Sequence, residues 1–220
     1  MRRISTHLEP ILEPKLGQQS YLSQNVRVVV PLGLVQVLLY EALNWRPWFP
    51  SRELPLTWLD RTIPWWTWTV WGYFALIALA IVLPLGIRDR GVFRRLMVAY
   101  AVSMGTAMLF FTFWPTHYPR PPLPTDDSWS SMAYRHLLQI DTPECCFPSS
   151  HIIVPLIACV ALWQDGRRQG WWRWLPVGVC VCTATILTTK QHYAWDLVGG
   201  AVVAAWGIGV GFAVGRRKGP

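Results

Sequence analysis

The chain lacks any Cys-x-x-Cys pair or Cys/His spacing of a zinc site, although it holds five cysteines, so its sequence does not argue for a structural metal. Cys159, Cys180 and Cys182 fall inside apolar runs, whereas Cys145 and Cys146 are neighbours in a loop, where a vicinal disulfide is geometrically rare. No internal repeat and no low-complexity linker divides the chain, which favours one domain. No apolar stretch follows Arg2 and Arg3 until Val28, unlike a cleaved signal peptide, whose apolar core comes at once. Residues 1–24 therefore read as an exposed, partly helical or irregular arm. Nor is there an extended basic stripe. The net charge is +8, but the Lys and Arg residues form short clusters between apolar runs, which argues against a nucleic-acid partner.

What is present is 15 tryptophans and long apolar runs, the composition of a chain solvated by a bilayer. Candidate spans are 26–43, 65–86, 95–114, 150–164, 174–189 and 194–214. Each has about 15 to 22 residues, where a spanning helix needs roughly 17 to 25. The expectation is an all-α polytopic membrane bundle of about six transmembrane helices over 25–215, with the arm 1–24 before it and a basic tail, 216–220, after it. Positive charge near span ends is retained in the cytoplasm. Arg88, Arg90, Arg94 and Arg95 follow the second span, Arg167, Arg168 and Arg173 the fourth, and Arg216, Arg217 and Lys218 the sixth. With Arg2, Arg3, Lys15 and Arg27 they put both termini in the cytoplasm. Short loops and arginine clusters favour a bacterial inner membrane, with the loops 44–64, 115–149 and 190–193 in the periplasm.

Tryptophans at span ends, such as Trp65, Trp66 and Trp68, fit an interfacial belt. Pro115, Pro119, Pro121, Pro122 and Pro124 make 115–124 irregular or extended. Residues 129–139 predict a short amphipathic helix, with Met132, Leu137 and Leu138 towards the bilayer or bundle. The stretch LPLTWLDRTIP reads as an interfacial piece whose Asp60 and Arg61 are surface charges.

Three segments gather chemistry at the same predicted membrane face. In FWPTHYPRP, prolines hold Arg120 just outside the third span, and a fixed guanidinium suits the paired oxygens of a phosphate. In FPSSH, Ser149 and Ser150 precede His151 at the start of the fourth span, where free amides and the positive helix end favour an anion. In TTKQHYAWD, Lys190 precedes His192, and the four-residue step to Asp196 places imidazole and carboxylate on one helical face. A carboxylate there fixes the imidazole tautomer and stabilises its cation, the arrangement of a base and its orienter. Ordinary caps and a buried structural His/Asp pair are the alternatives for these residues taken one at a time.

The order Arg-Pro, Pro-Ser-x-His, His-x-x-x-Asp over 120–196 resembles the type 2 phosphatidic acid phosphatase superfamily, and about six spans match its membrane branch. The resemblance implies that His192 attacks phosphorus to give a phosphohistidine, Asp196 orients it, and His151 protonates the leaving oxygen. It further implies that Arg120, Lys190 and the region of Ser149 and Ser150 hold the phosphoryl oxygens, with no metal and no cofactor. The substrate class is a lipid phosphate or phospholipid; oligomeric state is left open. The chain departs from the family pattern in having Phe113 where a lysine is usual, Thr185-Ile186 where Ser-Arg is usual, and Ser150 where glycine is usual. FWPTHYPRP, TKQHYAWD and LDRTIPWW are similar to the branch of inositol phosphorylceramide and sphingomyelin synthases, which pass a phospho-headgroup to a lipid hydroxyl. Two other classes stay open: a metal or haem protein using His151 and His192 with His117 or His136, disfavoured by the cations Arg120 and Lys190, and a non-catalytic lipid-binding or transport protein with a degenerate site.

Overall fold

The structure, a computed structural model, describes residues 9–166 and 170–216. Arg2, Arg3, Arg167, Arg168, Arg217 and Lys218 of the charge argument, with most of the expected tail, lie outside them.

Most of the described chain is helical. Helix α1 covers Glu9–Trp45, α2 Trp58–Thr62, α3 Val70–Leu85 after a 3-10 turn at Thr67–Thr69, α4 Arg90–Phe113 and α5 Trp129–Ile140. Helix α6 covers Ser150–Gln164, α7 Leu175–Thr188 and α8 Ala194–Arg216. The long apolar runs become α1, α3, α4 and α8, because in hydrocarbon a backbone must satisfy its own hydrogen bonds. The fold class is that of an all-α membrane bundle.

The span count needs correction. Among the described residues four helical stretches are long and apolar enough to cross a membrane: Tyr21–Trp45, Thr67–Leu85, Arg90–Phe113 and Ala194–Val214. The stretches that hold α6 and α7, Ser150–Gln164 and Trp172–Thr188, are apolar but shorter, about 22 and 26 Å at 1.5 Å per residue against a roughly 30 Å hydrocarbon core. Helix α6 is apolar for a different reason. It is the central helix, packed by α3, α4, α7 and α8, and it buries Ile152, Ile153, Ile157, Ala158 and Leu162 against them.

Close approach sets the packing of α8. A Cβ on Gly207 would lie 2.6 Å from the Ala99 carbonyl, and one on Gly211 2.6 Å from the Arg95 carbonyl. These small residues four apart let α4 and α8 pack backbone to backbone. Ser103 adds a hydroxyl bond to the Val203 carbonyl at 3.0 Å, and Tyr100 ties α4 to the Val154 carbonyl of α6 at 3.0 Å.

At one end of the bundle Asn25 Nδ2 donates to the Ile87 carbonyl at 2.7 Å and Asp165 accepts the amides of Arg88 and Asp89. The loops 44–64 and 115–149 meet at the other end. There the strands β1 (Arg52–Glu53) and β2 (Thr116–His117) pair in parallel, Cys146 N donates to the Thr116 carbonyl at 3.1 Å, and Thr142 Oγ1 donates to the Asn44 carbonyl at 2.7 Å. Beyond β2 the proline stretch is irregular, as its composition requires. Helix α5 is the expected amphipathic one, with Leu137 buried, Leu138 partly buried and Met132 exposed. Residues 9–24, expected as part of an arm, form the start of α1.

Asp60 is a second correction. It is 6% exposed, not a surface charge, while Arg61 is exposed as expected. Thr57 and Asp60 form a capping box at α2, and the spare Asp60 oxygen accepts the Ala194 amide at 2.8 Å. One carboxylate thus caps α2 and anchors the start of α8, 134 residues away.

Candidate active site

Two helix starts converge at the loop-rich end. The amide of Ser149, the cap residue of α6, donates to the Asp196 carbonyl of α8 at 3.1 Å. Gly200 permits this approach, since a Cβ there would lie 2.7 Å from the Ser149 carbonyl. Both helices therefore aim their positive ends at the same volume.

His192 and Asp196 meet as expected, by a different local geometry. His192 precedes α8 rather than lying on it. Asp196 reaches back from the first turn, and its Oδ2 accepts both His192 Nδ1 at 3.0 Å and the Tyr193 amide at 2.8 Å. The carboxylate caps the helix and orients the imidazole at once. Asp196 is fully buried and His192 is 6% exposed. With Nδ1 occupied, Nε2 is the ring nitrogen left outside that bond. The His151 ring stands edge-on to it, with centroids 5.2 Å apart. Residues 41 positions apart in the chain thus form one pair of imidazoles.

The remaining candidates are more engaged than expected. Arg120 donates from its terminal nitrogens to the carbonyls of Asp141 (2.5 Å) and Thr142 (2.9 Å), and its Nε is buried without a partner among the described residues. Lys190, in the left-handed region at φ 53°, turns the chain from α7 into α8. Its ammonium donates to the carbonyls of Asp60 and Ile63 at 2.8 and 2.7 Å. Burial pulls its pKa below the usual lysine value, partly opposed by Asp60. Ser149 is buried with its hydroxyl unpartnered among the described residues, and Ser150 is the first residue of α6. The positions where the family pattern has cations are apolar: Ile186 is wholly buried, and Phe113 is exposed beside Phe49.

Tyr73 and Asp141 belong to the site but not to the motifs. Tyr73, fully buried in α3, places its hydroxyl 2.8 Å from His151 Nε2. Asp141 is held by Tyr40, Asn44 and Arg120. A tyrosine within an apolar run is the only sequence signal for the first; nothing local marks the second.

One sulfur, one nitrogen and one oxygen from Cys146, His192 and Asp196 lie within 4.8 Å of one another. That set is chemically able to hold a soft cation, but the carboxylate is already engaged by His192, and Cys146 Sγ donates to the Pro143 carbonyl at 3.1 Å. His117 pairs instead with Glu53 at 3.3 Å, and His136 is exposed on α5. Cys145 and Cys146 are free thiols, not a disulfide.

A family profile described as the PAP2 superfamily matches residues 43–210, a segment that contains Tyr73, Arg120, Asp141, His151, Lys190, His192 and Asp196. The chain belongs to the PAP2 superfamily. Members of this superfamily are phosphatases and phosphotransferases, so the paired histidines sit in a family whose chemistry is phosphoryl transfer. No curated protein and no solved structure matches the chain.

Proposed function

We propose that this PAP2 superfamily member is a metal-independent lipid phosphatase that works through a phosphohistidine. The carrying observation is the buried Asp196–His192 bond of 3.0 Å with the His151 ring 5.2 Å away. In the first step Nε2 of His192 attacks phosphorus, the bond from phosphorus to the lipid oxygen breaks, and that oxygen takes a proton from His151. Asp196 balances the positive charge on the phosphorylated imidazole. In the second step water attacks phosphorus and gives a proton to His151. The P–N bond breaks, free phosphate departs, and His192 is restored.

The convergent starts of α6 and α8, with Ser149, Ser150, Arg120 and Lys190 around them, supply the positive field for the phosphoryl oxygens. Lipid as substrate fits a site at the end of helices whose exposed side chains are Leu, Val and Trp. Arg88, Arg90, Arg94 and Arg95 occupy the opposite end, which supports a site facing away from the cytoplasm, the periplasm if the membrane is a bacterial inner one.

Transfer to a lipid hydroxyl is the second reading. It is favoured by the FWPTHYPRP and TKQHYAWD segments and by the apolar Phe113 and Ile186 in place of family cations. The same substitutions motivate a non-catalytic lipid-binding role. The test is an assay in detergent without added metal, on a panel of lipid phosphates, for the wild type and His192→Ala, with and without diacylglycerol or ceramide. Phosphate release that depends on His192 supports hydrolysis. A new phospholipid formed only with acceptor supports transfer, and binding without either product supports the non-catalytic role.

A further inference from the structure

His192 has Asp196 to orient it, whereas the PAP2 motifs leave His151 without a backing group. The structure supplies one from outside the motifs. The Tyr73 hydroxyl lies 2.8 Å from His151 Nε2, the two rings have centroids 4.8 Å apart, and Tyr73 is 1% exposed. On its far side the same hydroxyl faces Asp141 Oδ2 at 3.5 Å. Asp141 is fixed in turn: Oδ1 accepts Tyr40 Oη at 3.1 Å and Asn44 Nδ2 at 3.2 Å, and Oδ2 faces Arg120 NH2 at 3.4 Å.

A phenol has one hydrogen and an oxygen that also accepts. If that hydrogen points to Asp141, the oxygen accepts Nε2–H of His151; if it points to His151, Nε2 is the acceptor. Nε2 is held in both arrangements, and Nδ1 is the nitrogen left to exchange a proton with substrate. The first arrangement also allows His151 to carry both protons, with the carboxylate charge relayed through one hydroxyl.

We propose that Tyr73, backed by Asp141, is the positioning residue that holds His151 in place to deliver its proton to the leaving oxygen through Nδ1. The inference rests on the phosphoryl-transfer reading. It makes the two histidines parallel: His192 is held at Nδ1 by a carboxylate directly and reacts through Nε2, while His151 is held at Nε2 by a carboxylate through a tyrosine and reacts through Nδ1. Arg120 acquires a second task, that of anchoring Asp141.

The test is Tyr73→Phe, which keeps the ring and its packing and removes only the hydroxyl. The purified variant is assayed in detergent on phosphate monoesters running from a diacylglycerol phosphate to p-nitrophenyl phosphate. An alkoxide needs a proton to leave and nitrophenolate does not. General-acid catalysis contributes about 10²–10⁴-fold, so kcat/KM for the lipid phosphate, which covers only formation of the phosphohistidine, falls by about 30- to 100-fold. On the aryl phosphate kcat/KM changes by less than about threefold, which also reports a folded variant, and the proton that water returns to His151 in the second step enters neither value. Equal losses on both substrates, or none on either, overturn the proposal. His192→Ala, run alongside, removes activity on both substrates; if it does not, it is the phosphohistidine reading that fails, whatever Tyr73→Phe does.

Discussion

Replacing Asp196 by asparagine isolates the charge of the site from its shape. Asp196 uses one oxygen, Oδ2, for both His192 Nδ1 (3.0 Å) and the Tyr193 amide (2.8 Å), while Oδ1 has no partner among the described residues. An asparagine carbonyl in the Oδ2 position keeps both hydrogen bonds, and its amide nitrogen takes the place of Oδ1. What is lost is the negative charge. With Nδ1 and Oδ2 3.0 Å apart, the centres of the imidazolium and carboxylate charges are about 4 Å apart, and at an effective dielectric of about 20 their attraction is about 4 kcal/mol. Withdrawing it where His192 becomes cationic lowers kcat by about a thousandfold. KM should change little, because the carboxylate touches the imidazole and not the phosphoryl group. The assay is steady-state turnover of a lipid phosphate in detergent, with thermal unfolding as a check on the fold. A folded Asp196→Asn protein within tenfold of wild-type kcat would refute the argument that the carboxylate stabilises charge on His192.

Other substitutions probe the architecture. Asp60→Ala removes the α2 capping box and strands the buried Ala194 amide, so it should cost about 2–4 kcal/mol, read as a fall in melting temperature in detergent. Gly207→Ala drives a methyl against the Ala99 carbonyl of α4, whereas Gly209 has open space beyond it. The first should destabilise by about 1–3 kcal/mol and Gly209→Ala should not, and equal melting temperatures would contradict the close α4–α8 approach. Burial, reinforced by Glu144 and Asp141, pushes the Cys145 thiol up to about 12, and burial raises Cys146 well above the ordinary value. Raised pKa values keep both neutral through the usual alkylation range. Their labelling by iodoacetamide in the native protein should climb about tenfold per pH unit from 7 to 10; mass spectrometry showing a plateau near pH 9 would contradict this.

Sequence patterns determined what depends on neighbours along the chain. Apolar run length placed the four long spans, proline spacing made 115–124 irregular, and the helical period found α5. The four-residue step from His192 to Asp196 announced their contact, although the carboxylate meets the imidazole by capping α8 rather than across a helical face. Runs of 15 or 16 apolar residues are the place where this reasoning ran short. Length alone could not separate a span from a core helix, and only the fold shows α6 packed on four sides by α3, α4, α7 and α8. Only the tertiary structure decided the partners that lie far apart in sequence. Asp60 binds the start of α8, Tyr73 reaches His151 across 78 positions, and the terminal nitrogens of Arg120 meet loop carbonyls. No local periodicity encodes these contacts, because they depend on how α3, α6 and α8 are packed and on how two outer loops are drawn over their ends.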